Sequence, residues 1–306
     1  MRRRDELEGI VAAVVTPLNA QDEPDLEGLQ KHIRALASEG CHGILLLGTT
    51  GEGPSMGIHE RRAVLEAGLS AAEGMIVYVG TGCPSLRDAI DLTTQAFELG
   101  ADVVVVLPPY YYKKVSDEGL FAFYRRLFDE AVPEGKLLML YDIPQQSQIP
   151  LSADLLERLL HYAGGRLAGV KDSTGNLDHG RELCERFPEL RIFVGTDRLL
   201  CPALKFGAAG CITAAANLFA PLAVAVYRAH LAGEDCEPLQ EVLTRVRELL
   251  DQYQPLAPTL KSLLALRYGS ANWHVRPPLL PLPLESHRRL IESLETLGLV
   301  DVVQRG

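Results

Sequence analysis

The sequence predicts a closed (β/α)8 TIM barrel followed by a C-terminal helical extension. Three observations carry this. Eight short apolar runs alternate with amphipathic helical patterns from Ile10 to Ala214. The runs are continuously apolar, as parallel strands buried on both faces require. Open doubly wound sheets usually stop at five or six strands, so eight successive units favour closure.

The strand candidates are 10–17, 43–48, 76–80, 102–107, 136–143, 167–171, 191–195 and 210–214. Helix starts are marked by capping residues Asp25, Ser85 and Ser152, whose side chains can accept from the orphan amides of a first turn. Gly40, Gly74 and Gly100 mark helix ends, where glycine adopts a left-handed conformation. After Pro221 the pattern turns helical, over roughly 221–232, 236–253, 257–268 and 285–297. The strip Val275-Arg276-Pro277-Pro278 interrupts it. Residues 1–225 are therefore assigned to the barrel and 226–306 to an extension packed on it, with a packing or oligomer role and no catalytic one.

The chain has 306 residues, 47% of them hydrophobic, enough for a large core. Its net charge of −10 opposes a nucleic-acid or anionic-membrane surface, though not a local cationic pocket for a small anion. No apolar run reaches the ~20 residues that span a bilayer. The basic start Met1-Arg2-Arg3-Arg4 is broken by Asp5, Glu6 and Glu8 before any apolar stretch, so a secretory leader is not expected and the location is read as cytoplasmic. Six cysteines show no CxxC pair and no zinc spacing, so they are expected to be small core hydrophobes, with neither disulfide framework nor metal. Cys83, which follows a strand, lies near enough in sequence to approach a site.

Barrel active sites form where strands end. Strand 2 ends in Gly48-Thr49-Thr50-Gly51-Glu52-Gly53, strand 4 in Pro108-Pro109-Tyr110-Tyr111-Tyr112, strand 5 in Tyr141-Asp142-Ile143-Pro144, strand 6 in Lys171, and strand 7 in Gly195-Thr196-Asp197. Five chemically loaded ends on one face carry more weight than any one motif. Lys171 closes an apolar run; burial disfavours a charged ammonium, and a neutral amine attacks carbonyl carbons. The plain alternative is a lysine that snorkels to water. The small residues around Thr49 and Thr50 suit either a tight turn or an anion cradle. The tyrosines suit either packing or a proton relay.

Together, GTTGEG, PPYYY, LYDIP, GVKDSTG, GTD and VRPPLLPL resemble, in order and along nearly the whole chain, the dihydrodipicolinate synthase/N-acetylneuraminate lyase superfamily. The resemblance implies a homo-oligomer, tetramer or dimer, that uses no metal or organic cofactor and forms a covalent imine. Lys171 would be the Schiff-base lysine for pyruvate or another 2-oxo acid, and Tyr141 the proton shuttle. Thr49 and Thr50, with Gly48, would hold the substrate carboxylate. Thr49 would also link Tyr141 to a second tyrosine, best matched by Tyr111, with Tyr110 the near alternative. Gln146, Asp197 and Arg198 would face the second substrate.

Departures from the family pattern shape the substrate expectation. Gln146 stands where dihydrodipicolinate synthases carry an arginine for the aspartate semialdehyde carboxylate, and a neutral amide lacks that bidentate charged grip. Ile58 and Pro84 fall near a histidine and an asparagine of lysine-regulated members. Arg198 follows Asp197 where sialic acid lyases carry an acid; it either meets a substrate carboxylate or is solvated at a helix start. Gln148 replaces a common glycine. The leading expectation is an aldolase or lyase for a 2-keto-3-deoxy sugar acid or similar hydroxy-oxo acid, with dehydration through the same imine as another outcome. Dihydrodipicolinate synthesis comes second. A non-catalytic 2-oxo acid sensor comes third, because the lysine, tyrosine and threonine positions are all filled.

Overall fold

The computed structural model describes residues 3–304, and Met1 and Arg2 of the basic start lie outside the described residues. Eight parallel strands close in chain order: β1 (Gly9–Ala13), β2 (Gly43–Leu46), β3 (Ile76–Gly80), β4 (Val103–Val106), β5 (Leu137–Asp142), β6 (Leu167–Asp172), β7 (Arg191–Val194) and β8 (Gly210–Thr213). Between them lie α1 (Leu26–Ser38), α2 (Ile58–Ala71), α3 (Leu86–Leu99), α4 (Asp117–Ala131), the single turn α5 (Pro144–Ser147), α6 (Ala153–Ala163), α7 (Leu177–Arg186) and α8 (Leu200–Lys205). The chain continues through α9 (Ala216–Leu231), α10 (Glu237–Asp251), α11 (Leu256–Tyr268), α12 (Leu284–Thr296) and α13 (Val300–Gln304). This is a TIM barrel with C-terminal helices, as the alternation predicts.

Local chemistry explains the element ends. Asp25, Ser85 and Ser152 accept from the amides of Gly28, Asp88 and Leu155 at the starts of α1, α3 and α6. Gly100 caps α3 at φ 112°, a conformation costly to any residue with a Cβ. Strand β1 stops at Ala13, short of the predicted Pro17, because Val15 N–H turns away to Asn217 Oδ1 at 3.0 Å. Helix α9 starts earlier than Pro221 and holds a non-helical residue, Phe219. The proline then falls in the first turn of a restarted helix, where its missing N–H costs little.

Two concentric cores result. Val11, Leu45, Val105, Met139 and Phe193 fill the barrel interior. Ile10, Ile44, Val104, Leu140 and Val170 face outward to the helices. Strict alternation along β6 would send Lys171 outward, since Ala168 points in. An irregularity prevents this: Leu138 pairs with Leu167, but Met139 pairs with Gly169. The extra residue, Ala168, shifts the strand so that Lys171 pairs with Tyr141, and both face the interior. Gly169 is needed at the shift, because a Cβ there would lie 1.9 Å from Arg191 O.

The extension is continuous with the barrel. The 225/226 division falls inside α9, and Leu218 and Phe219 share a buried cluster with Val246, Leu249, Leu260 and Leu263. The expectation that no disulfide forms is corrected. Cys201 of α8 and Cys236, at the cap of α10, are bonded, with Cα atoms 6.0 Å apart. The 35-residue separation gave no signal, because the contact exists only once α10 docks on α8. Cys41, Cys83 and Cys211 are buried free thiols, as expected of small core residues.

Candidate active site

A cavity of about 610 Å³ opens at the C-terminal ends of the strands. Its wall includes Thr49 and Thr50 after β2, Tyr141 of β5, Lys171 of β6, and Thr196 and Arg198 after β7. Lys171 is 4% exposed and Tyr141 is 6% exposed. The Lys171 Nζ lies 4.1 Å from the centre of the Tyr141 ring. A cation over a ring face is attracted by its quadrupole, so the ring suits an iminium formed at this nitrogen.

The threonine loop is shaped by backbone strain and by the extension. Leu47 and Glu52 adopt φ 57° and 55°, rare for residues with side chains, and bracket Thr49 and Thr50. At Gly53 a Cβ would lie 2.0 Å from Leu47 O. Thr16 Oγ1 donates to Gly51 O at 2.9 Å. Glu52 does not face the cavity. It is buried in an ion pair with Lys261 of α11, and its Oε2 accepts from Arg276 N–H at 3.1 Å. Lys261 also donates to His274 O at 2.5 Å. The sequence reading missed this pair because its partners lie 209 positions apart (261 less 52) in different layers of the fold.

Behind the reactive pair lies a second set of charges. Asp142 and Asp172 pair across β5 and β6 one step beyond Tyr141 and Lys171, and so face outward. His179 of α7 sits between them, Nδ1 3.3 Å from Asp172 Oδ2 and Nε2 3.9 Å from Asp142 Oδ2. Burial pushes the Asp142 carboxyl up to about 6, and Asp172 pushes the same way against His179. The Asp172 contact raises His179 against its desolvation. Asp172 Oδ1 also accepts from Thr174 N at 2.9 Å and Thr174 Oγ1 at 2.6 Å, which orders the turn after Lys171.

The short helix α5 brings Gln145 and Gln146 to the cavity, and Gln145 Nε2 donates to Thr174 O at 2.9 Å. Gln148, ending that turn at φ 55°, occupies a conformation that glycine adopts without cost. Three expected site residues stand elsewhere. Tyr111 is 71% exposed on the loop after β4, packed edge-to-face on Tyr112 and outside the cavity wall. Among the described residues no hydrogen bond joins Tyr141 to Thr49, so the three-member relay is not assembled within one chain. Tyr110 is half-buried, and burial raises its phenol. Asp197 is fully buried, accepting from Thr213 Oγ1 and Arg247 Nη1, each at 3.0 Å. Gly48 uses its carbonyl within the turn, accepting from Gly53 N at 3.1 Å. Cys83 donates to Ser85 O at 3.2 Å; burial raises its thiol, and it is not in the cavity wall.

The expectation of an extension without a part in the site is also corrected. Arg247, Asp251 and Gln254 complete the cavity wall. Arg247 and Asp251 read as a solvated helix face and Gln254 as part of the turn after it, and nothing in them signals that α10 lies over a barrel mouth. Among the described residues no group of three or more His, Cys, Asp or Glu side chains is placed to hold a metal ion. Nor is any helix long and apolar enough to cross a membrane.

A parallel eight-strand barrel with a buried lysine beside a tyrosine at its mouth defines a class of enzyme scaffold. Sequence comparison makes it specific: the Dihydrodipicolinate synthetase family matches residues 6–297. The chain belongs to that family and is a lyase. It is 40% identical over 293 residues to an uncharacterized DapA-like lyase of Chloroflexus aurantiacus, covering 95% of this chain and 97% of that one. It is 32% identical to 4-hydroxy-tetrahydrodipicolinate synthase 1 of Halalkalibacterium halodurans, over 92% and 94% of the two chains. Among solved structures, the family member YagE of E. coli K12, in complex with pyruvate, superposes with a TM-score of 0.89 at 26% identity, over 95% and 99% of the chains.

Proposed function

We propose that the chain is a Schiff-base-forming aldolase or lyase acting on pyruvate or a related 2-oxo acid, cleaving or forming a 2-keto-3-deoxy sugar acid or similar hydroxy-oxo acid. The observation that carries this is a lysine 4% exposed, facing the Tyr141 ring, in a polar cavity. The neutral Lys171 amine adds to C2 of the oxo acid; Tyr141 then donates its phenol proton to the carbinolamine hydroxyl, which leaves as water, so that a protonated imine and a Tyr141 phenolate remain. In the cleavage direction the C3–C4 bond breaks. Its electron pair flows into the imine to give an enamine, and the C4 hydroxyl proton passes to Tyr141 as the aldehyde departs. The enamine carbon takes that proton back from Tyr141, and water, giving a proton to the phenolate, hydrolyses the imine to release pyruvate and the free lysine. The iminium is the only electron sink the reaction needs. Thr49 and Thr50 hold the carboxylate.

Two exposed tyrosines, Tyr111 and Tyr112, support a homo-oligomer, dimer or tetramer, in which the relay is completed across subunits. Condensation of pyruvate with aspartate semialdehyde is the second reading. The Halalkalibacterium relative's name favours it, and Gln146 in the cavity wall opposes it. A coupled pyruvate-release screen over 2-keto-3-deoxy acids, sialic acid and 4-hydroxy-2-oxo acids, beside an aspartate-semialdehyde condensation assay, separates them. Turnover of a 2-keto-3-deoxy acid at least ten-fold above the others supports the first reading. Activity with aspartate semialdehyde alone replaces it with the second, and no activity leaves a 2-oxo acid sensor.

A further inference from the structure

The cavity is larger than a three-carbon oxo acid needs, and its outer wall is built by the C-terminal helices. We propose that Arg247, Asp251 and Gln254 form a subsite for the hydroxyl groups of an uncharged, polyhydroxylated aldehyde, the second substrate. This rests on the imine reading above and specifies its partner.

The local charge at these three residues opposes the obvious alternative, an anionic tail. Arg247 Nη1 donates to Asp197 Oδ1 at 3.0 Å and Nε to Asp251 Oδ1 at 2.9 Å. Its guanidinium is therefore already committed to two carboxylates and has no bidentate face left for a third. Arg247 with Asp197 and Asp251 is one cation against two carboxylates, so this part of the wall carries a net negative charge, while Arg198 stands exposed at the rim. An internally paired cluster with one carboxylate in excess offers an anion little. It does offer unused single partners. Asp251 is 30% exposed at its side chain, and Gln254 Nε2 donates to its Oδ1 at 3.0 Å. Among the described residues, Asp251 Oδ2 and Gln254 Oε1 remain as acceptors and Arg247 Nη2 as a donor. A hydroxyl both gives and accepts, so it satisfies such a mixed set where a carboxylate or an alkyl chain does not. Asp197, fully buried, holds Arg247 against Asp251.

The test measures pyruvate condensation with D-glyceraldehyde, propanal and succinic semialdehyde. It compares the full-length protein with Asp251→Asn and, at an exposed position less able to disturb folding, Gln254→Leu. The wild type is expected to prefer glyceraldehyde. Asp251→Asn should lower kcat/KM for glyceraldehyde about ten- to a hundred-fold, as loss of a hydrogen bond to a charged group does, with propanal changed less than about three-fold. Because that substitution removes a negative charge, the succinic semialdehyde to glyceraldehyde ratio should rise. Equal losses for glyceraldehyde and propanal in both variants, or a wild-type preference for succinic semialdehyde, overturn the subsite. Borohydride reduction of the wild type with pyruvate distinguishes the levels. No adduct overturns the imine reading and the subsite with it; a normal adduct with glyceraldehyde no better than propanal overturns the subsite alone.

Discussion

Replacing Lys261 by methionine tests whether the extension holds the threonine loop in place. Both side chains of the Lys261–Glu52 pair are 1% exposed, so the methionine strands a carboxylate whose remaining partner is Arg276 N–H. Breaking a buried pair from one side costs about 3–5 kcal/mol, because the surviving charge keeps its desolvation penalty without its Coulomb partner. For a chain of this size that lowers Tm by on the order of 10 °C. The neutral double variant Glu52→Gln/Lys261→Met should recover most of the loss, to within about 1–2 kcal/mol of the wild type. Thermal and urea unfolding of all four proteins gives the coupling, and KM for pyruvate reports the loop. The single variant should raise KM, since Thr49 and Thr50 lie three and two positions before Glu52. A single variant within about 1 kcal/mol of the wild type, or a double variant no more stable than the single, refutes the reasoning.

Asp142 gives a pH signature. Its carboxyl is raised from 3.8 to about 6, so the folded state binds a proton that the unfolded chain has already released between those values. Stability therefore falls as pH rises from 4 to 6, by roughly 3 kcal/mol for two units. His179, raised from 6.5, is mostly charged in both states over that window and adds only a small slope of the same sign near pH 6. Asp142→Asn should gain stability relative to the wild type over pH 4 to 6 in urea titrations; parallel curves contradict the assignment. Tyr141→Phe should slow turnover about ten-fold or more while leaving the pyruvate imine trappable, and near-normal kinetics would remove the proton-shuttle role. Peptide mapping without reductant should recover Cys201 linked to Cys236. Reduction should then cost about 2–4 kcal/mol in urea unfolding, and a free thiol at either position overturns the bond.

The barrel was legible because parallel strands buried on both faces leave continuous apolar runs, and Ile76–Gly80 matches to the residue. Thr49, Thr50, Tyr141, Gln146, Lys171 and Arg198 were legible as cavity residues because strand ends carry barrel sites. What escaped depends on contacts that local pattern does not encode. The shift at Ala168, which turns Lys171 inward, is a one-residue register event inside an unremarkable apolar run. Arg247 and Asp251 look like any solvated helix face, and Gln254 like an ordinary turn residue, until α10 is seen to cover the barrel mouth. Asp197 reads as a site residue from its place after β7, yet it is turned inward by Thr213 and Arg247. Tyr111 reads as a relay residue, yet the loop after β4 carries it into solvent within one chain.

The most direct measurement is borohydride reduction of the protein in the presence of pyruvate, followed by intact mass and peptide mapping. The account predicts one reduced pyruvate adduct per chain, located on Lys171, absent in Lys171→Ala and retained in Tyr141→Phe. An unmodified chain, or an adduct spread over exposed lysines with Lys171 untouched, would contradict it.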